Sequence, residues 1–327
     1  MKHNLKITLL IISMFLLTQF IGLYVISTNP FYITQEVNGT KVLVENPVLS
    51  WINPPKAETS SDYNVYLGSI VFSFILSIFI FLFLIKFKFE HLMKVWFYLV
   101  VSISLLISLI AFFPKEKIFW IFLIPFSLFL SYLKTFKRNI LIHNLTELFI
   151  YPGIACIFVS FLNFFGIIIL LILISIYDMW AVWHSGIMQK MAKFQMDKVK
   201  VFGGFFIPYL SKKQFEKIKK IRKKQGKNKK EIKIKTGVAI LGGGDIVFPI
   251  ITAGVILLTK NVNLPFGLSP FIGGFFPALS VIFGATLGLS LLLFYSEKKK
   301  FYPAMPFISS GIFLGIIFSY LLRLLIL

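Results

Sequence analysis

The chain has 327 residues, 57% of them hydrophobic and only 14% charged, with a formal net charge of +21 and a mean hydropathy of +0.85. That hydropathy excludes an ordinary soluble domain and indicates a polytopic membrane protein. A basic excess of this size suits nucleic acid or a membrane surface, and the positions of the lysines decide between the two.

Nine apolar runs are long enough to cross roughly 30 Å of hydrocarbon. The first, Leu5 to Ile26, follows a basic head. Its length is that of a bilayer crossing and no small-residue cleavage site follows at once, so it reads as a span and not as a signal peptide. The next are Tyr63 to Ile85, Leu92 to Phe113, Ile118 to Leu133, Ile140 to Leu162 and Phe164 to Trp183. After a long basic segment come Thr236 to Leu258, Pro270 to Phe294 and Pro303 to Leu325. The expected fold is all-α with nine transmembrane helices and no soluble domain. Three parts follow: 1–183 with spans one to six, a basic loop at 184–235, and 236–327 with spans seven to nine. The single cysteine, Cys156, lies in an apolar stretch and forms no internal disulfide.

Lysine and arginine set the orientation, because positive loops stay in the cytoplasm. With the N-terminus inside, seventeen of them fall in the 184–235 loop, and eleven others fall inside against five outside. The N-terminus and this loop are therefore expected in the cytoplasm and the C-terminus outside. The basic balance is topology, and no nucleic-acid partner is expected. Within the loop, "SGIMQKMAKFQMDKVK" (Ser185 to Lys200) sets Ile187, Met188, Met191, Phe194 and Val199 near one helical face, rimmed by lysines. This suits a helix lying at the lipid surface or an amphipathic but solvated linker. From Lys212 to Lys235 the chain is lysine-rich and poor in apolar residues, as expected of a mobile segment drawn to anionic headgroups.

Three of the thirteen acidic residues fall inside spans: Glu147, Asp178 and Asp245. An ionisable group there costs at least about 2.5 to 3.5 kcal/mol on insertion scales, and no intramembrane lysine stands near in sequence as a partner. Helix rise puts Asp178 roughly 8 to 10 Å and Asp245 roughly 13 Å from the cytoplasmic face. They come from consecutive spans running in opposite directions, so a facing pair is expected. Two apposed carboxylates share one proton and titrate as a unit. One then takes a proton from water while the other protonates an amide oxygen, as in aspartic proteases. The four histidines, His3, His91, His143 and His184, are scattered, and no Ser, His and Asp grouping is visible. Just before Asp245, Gly242, Gly243 and Gly244 remove side chains, which lets a partner helix or a substrate backbone approach. Pro249 frees the carbonyl of Asp245 from its helical partner. Glu147, in "HNLTELFIYPG", reads as a hydrogen-bonded structural carboxylate near the inner interface, with contact to loop lysines or substrate gating as other roles.

"YD" (Tyr177, Asp178) in the sixth span, "GGGD" (Gly242 to Asp245, a GxGD) in the seventh and "PAMP" (Pro303, Ala304, Met305, Pro306) opening the ninth resemble the GxGD intramembrane aspartyl proteases. These are the presenilins, the signal peptide peptidases and their archaeal homologues. GxGD alone is weak, whereas the ordered trio over nine spans covers the whole chain. The resemblance implies a presenilin-like fold, Asp178 and Asp245 as catalytic pair, Tyr177 and Gly242 to Gly244 as motif residues, and no cofactor or metal. Pro303, Ala304 and Met305 match the family's PAL with methionine replacing leucine, and the prolines leave backbone groups free to steer the site. The orientation matches the presenilins, which implies transmembrane substrates whose N-terminus lies outside, and the compact, lysine-rich chain points to an archaeal or other prokaryotic member. Oligomeric state stays open. Two other readings remain at this stage. One is a secondary transporter with Asp178 and Asp245 as proton or cation sites, although no inverted repeat is visible. The other is a prepilin-peptidase-like GxGD enzyme, although "IVFP" after Asp245 lacks the basic residue associated with that group.

Overall fold

The computed structural model describes residues 5–37, 40–55, 57, 59–114, 117–137, 139–185, 191, 194, 195, 199, 201–209, 237–259, 274–297 and 302–326. In chain order, helix α1 (Leu5–Thr28) leads to strands β1 (Tyr32–Val37) and β2 (Thr40–Glu45). Helices α2 (Ser60–Lys86), α3 (Glu90–Ile110), α4 (Lys117–Phe136), α5 (Ile140–Val159) and α6 (Phe164–Trp180) follow, and α6 runs on into one π-helical turn, Ala181–Ser185. Strands β3 (Gly204–Tyr209) and β4 (Gly237–Gly242) precede α7 (Gly243–Leu258), α8 (Phe275–Tyr295) and α9 (Met305–Ile326). Eight of the nine described helices are long and apolar enough to cross a membrane, and α7, with 16 residues, is the short one.

The core forms around α7. It packs against α1, α5, α6, α8 and α9, and from Pro249 to Ile256 each residue is buried. Its sequence beyond Asp245 is apolar nearly all round, which suits a helix enclosed by others. Phe15 and Ile26 of α1, Ile167 and Leu171 of α6 and Ile246 and Ile250 of α7 are fully buried in this core. At the other extreme, α2 buries none of its residues and touches mainly α6. Helices α8 and α9 approach to backbone contact: a Cβ on Gly284 or on Gly311 would overlap the other's carbonyl. This is how small residues let helices pack where hydrophobicity supplies no drive between them.

Two features depart from an all-helical reading. The first is the β1–β2 hairpin after α1, which pairs Tyr32 with Glu45 through to Val37 with Thr40. The second lies inside the expected seventh span. Its first residues are the strand β4, antiparallel to β3 with Gly204 opposite Gly242 and Tyr209 opposite Gly237. Phe205, Ile207, Ala239 and Leu241 are buried while Ile240 is exposed, the period-2 burial of a two-stranded sheet laid on the bundle. The seventh helix thus starts at Gly243 and not at Thr236, and consecutive glycines, poor helix formers, mark the switch. Most of the amphipathic stretch expected between Ser185 and Lys200, and all of the lysine-rich stretch from Lys212 to Lys235, lie outside the described residues.

Candidate active site

Asp178 sits in the last turn of α6, with 5% of its surface exposed. Its Oδ2 accepts a hydrogen bond from the Met305 amide at 3.0 Å, and the Ala304 amide also donates to this carboxylate. The reason is local. The first amides of a helix have no intrahelical acceptor, and α9 starts at Met305, immediately after Pro303 and Ala304. "PAMP" therefore presents two orphan N–H groups where a carboxylate needs donors. Pro303 and Met305 are buried, while Ala304 and Pro306 are half-buried. One turn before Asp178, the Ser175 hydroxyl donates to Ser309 Oγ at 3.0 Å and ties α6 to α9 beside the site.

Asp245 is the third residue of α7, not a residue deep within a helix, and it is only half-buried. Its carboxylate folds back to accept from the Gly242 amide, one half of a capping box. Asp178 and Asp245 lie within electrostatic reach of each other. The three glycines do separate things. A Cβ at Gly242 would stand 3.1 Å from Asp245 Oδ2, which crowds the carboxylate. A Cβ at Gly243 would come within 2.8 Å of Cε1 and 2.9 Å of Oη of Tyr151, so that residue is glycine because α5 leans on it. Gly244 is exposed, and a Cβ there would have only the Phe248 ring within 4 Å.

Tyr177, beside Asp178, is half-buried and meets Phe74 of α2 edge-on, ring centroids 5.2 Å apart. It stands at the wall of a cavity of about 820 Å³ between α2 and helices α5, α6 and α7, lined by Tyr66, Phe74, Phe158, Tyr177, Val247 and Phe248 among others. The lining is nearly all aliphatic or aromatic, and it runs along α7 to within two residues of Asp245.

Glu147 departs from the reading that no intramembrane lysine stands near the buried acids. Helix α4 extends to Phe136, so Lys134 lies in its last turn and not in a loop. Its Nζ pairs with Glu147 Oε1, both side chains essentially inaccessible. The two belong to adjacent helices joined by a tight connection, which brings residues thirteen apart in sequence together. Two further partners were not visible in the sequence. Gln19 of α1, fully buried, donates to the Ile246 carbonyl at 3.0 Å, just past Asp245. Phe205 of β3 packs edge-on to Tyr151, ring centroids 6.2 Å apart. A lone glutamine in an apolar span was the one available signal for the former.

The three motifs, 178, 245 and 303–306, thus converge at one end of α6, α7 and α9. A family model described as signal-peptide peptidase, presenilin aspartyl protease matches residues 40–325. No curated protein matches the chain. Two solved structures of a presenilin family intramembrane aspartate protease, in C222 and P2 space groups, are similar at 15% and 16% identity, with TM-scores of 0.54 and 0.52. Each comparison covers 95% of this chain and 96% of that chain. At such identity these structures speak for the fold alone, and the match across residues 40–325 carries the assignment: this multi-pass membrane protein belongs to the signal-peptide peptidase and presenilin family of intramembrane aspartyl proteases.

Proposed function

We propose that this protease hydrolyses peptide bonds within transmembrane segments of membrane proteins by activating a water between Asp178 and Asp245. The observation that supports it most is the unequal holding of two carboxylates in electrostatic reach: Asp178 by the amides that open α9, Asp245 in the first turn of α7 beside an apolar cavity. Two carboxylates that repel one another in this way are favoured with one proton on the pair. The ionised carboxylate takes a proton from water as its oxygen adds to the scissile carbonyl carbon, and the protonated one gives its proton to the carbonyl oxygen. The resulting gem-diol collapses: the protonated carboxyl gives its proton to the leaving nitrogen as the C–N bond breaks, the ionised carboxylate takes the proton of one hydroxyl as the C=O bond re-forms, and acid and amine ends are released.

Tyr177, Gly242 to Gly244 and Pro303 to Pro306 shape the site in this reading. The cavity along α2 suits an apolar helix of a substrate. Beyond it, the edge of β4 turned away from β3 has no described strand against it, and an extended segment laid there by backbone hydrogen bonds runs directly toward Asp245. The lysine distribution supports a cytoplasmic 184–235 segment and an outer C-terminus, with substrates whose N-terminus is outside. Neither the transporter nor the prepilin-peptidase reading is favoured by the family match.

The test is incubation of the purified protein with a tagged single-span peptide, with and without an inhibitor bearing a hydroxyl in place of the scissile carbonyl. Cleavage inside the apolar segment, blocked by the inhibitor, is expected. Cation binding with no cleavage of any spanning peptide would sink the proposal and restore the transporter.

A further inference from the structure

Among the described residues the β3–β4 sheet has two strands, and a two-stranded ribbon alone is marginally stable in water. Its β3 edge, however, is not open. On that edge Gly204 and Phe206 turn their backbone groups toward α5, and α5 answers each of them with side chains. The Asn144 amide donates to the Phe206 carbonyl at 2.7 Å, and its Oδ1 accepts from the Phe206 N–H at 2.9 Å. This is the double exchange that a neighbouring strand would make. At Gly204 the N–H donates to Glu147 Oε1 at 3.2 Å, and His143 Nε2 donates to the Gly204 carbonyl at 2.8 Å. A carbonyl can only accept, so Nε2 carries the hydrogen, which leaves Nδ1 to face Lys134 Nζ at 3.4 Å. Lys134 neutralises the buried Glu147, without which its charge would be costly to keep there.

Gly204 stands opposite Gly242, and the Gly203 carbonyl accepts from the Gly243 N–H at 3.3 Å. Gly242 in turn donates to the Asp245 carboxylate. The contacts of α5 with β3 thus stand one residue from the Gly203–Gly243 bond and directly across the ladder from the glycine that holds Asp245. We propose that His143, Asn144 and Glu147 of α5 act as the missing third strand of this sheet, and that in doing so they are positioning residues that fix Gly242, and through it Asp245, for peptide-bond hydrolysis. The proposal rests on the reading of Asp245 as one of the catalytic pair.

The test separates the backbone contact from the ion pair, using two charge-neutral double variants in the full chain. Lys134→Met with Glu147→Gln keeps an acceptor for the Gly204 N–H, and Lys134→Met with Glu147→Leu removes it. Cleavage of a single-span peptide by the Leu pair is expected to show a kcat about 10- to 100-fold below that of the Gln pair, the loss that misplacement of a catalytic group by about 1 Å produces. The affinity for a hydroxyl-bearing transition-state mimic is expected to fall by the same factor. A role in stability alone would change the thermal transition of the two pairs and leave kcat per inhibitor-titrated site equal, and that result overturns the proposal. Should the Leu pair not fold, Asn144→Leu, which leaves the ion pair in place, is read the same way: a lower kcat in folded protein supports the positioning role, and an unaltered one overturns it. Asp245→Asn in the same assay keeps the two questions apart, since cleavage by that variant would discredit the catalytic pair whatever the α5 variants do.

Discussion

Two clusters of acid stand side by side in this bundle, and they are furnished in opposite ways. Glu147 has a lysine, a histidine and a backbone amide within reach of a single oxygen. Among the described residues Asp178 has the two amides that start α9, and Asp245 has the Gly242 amide and the neighbouring acid. The first cluster neutralises its charge completely, which is how a buried carboxylate is made inert. The second holds two carboxylates in place by neutral donors and leaves their charge to be settled between them, which is how a carboxylate is kept available for proton transfer. Surroundings, more than depth in the membrane, separate the acid that organises structure from the acids proposed to do chemistry.

The largest effect expected from this contrast is at the uncompensated pair. Asp178→Asn and Asp245→Asn keep the shape of the side chain and remove its titration. Each is expected to lower kcat by about 10⁴-fold or more, about 5 kcal/mol of transition-state stabilisation, with the thermal transition little changed. Peptide cleavage counted by mass spectrometry reads this directly, and a folded variant of either kind that still cuts would break the comparison. With both acids present, kcat against pH is expected to rise and fall, because cleavage needs the singly protonated pair and is lost when the pair holds two protons or none. A profile flat from acid to alkaline pH would remove the shared proton from the mechanism.

At the compensated cluster the expected effect is on stability. Lys134→Met leaves Glu147 buried without its cation and is expected to cost about 3 to 5 kcal/mol, measured as a lower thermal transition in detergent. Joining it to Glu147→Gln should recover most of that loss. If the single variant is as stable as the parent, Glu147 is not held as the contrast requires, and its surroundings are less dry than its inaccessibility implies.

How much of this was legible in the sequence follows from the physics of each element. Long apolar spans are dictated by hydrocarbon thickness, so eight helices could be placed to within a few residues. The seventh could not, because "GVAILGGG" is as apolar as a helix, and hydropathy does not distinguish a buried strand from a buried helical turn. Strand β3, "GFFIPY", shows no alternation in sequence either, since Phe205, Phe206 and Ile207 are apolar in a row. The hairpin after α1 had its signal, the Asn38-Gly39 dipeptide between two strand-like runs. The Glu147 partner was hidden by a boundary: ending the fourth span at Leu133 puts Lys134 in a loop, whereas one more turn of helix puts it in the core. The three motifs were legible because each combines rare residue types in apolar surroundings, and they converge in space. Of their supporting residues, Gln19 had the signal of a lone glutamine in an apolar span, whereas Tyr151 and Ser175 had none, since one aromatic or hydroxyl side chain in a long span carries no pattern.

Tyr151 offers a sharper test at the border between the two clusters, because it lies under Gly243 on the same helix that carries Glu147. Gly243→Ala forces the added methyl against the tyrosine ring and is expected to cost about 1 to 3 kcal/mol, with cleavage reduced as α7 shifts. Tyr151→Leu makes room. The double variant should recover activity relative to Gly243→Ala alone, a coupling of about 1 kcal/mol or more in a double-mutant cycle. Additive losses would mean that Gly243 is needed for substrate approach and not for packing against α5.

The smallest expected effect is at Ser175, whose hydroxyl joins α6 to Ser309 of α9 one turn before Asp178. A neutral hydrogen bond of this kind contributes about 1 kcal/mol net, and Ser175→Ala removes only the bond that the Ser309 oxygen accepts. The thermal transition should therefore move little. Cleavage should fall more than stability does if the bond sets the angle between Asp178 and the Met305 amide, because a tilt of α9 lengthens that hydrogen bond before it unpacks any apolar side chain. Measuring both quantities on Ser175→Ala and on Ser309→Ala decides the point. Equal small losses in stability and activity would make the serines ordinary glue between helices, and a loss confined to kcat would show that the neutral bonds around Asp178 maintain its geometry as the charged bonds around Glu147 maintain the sheet.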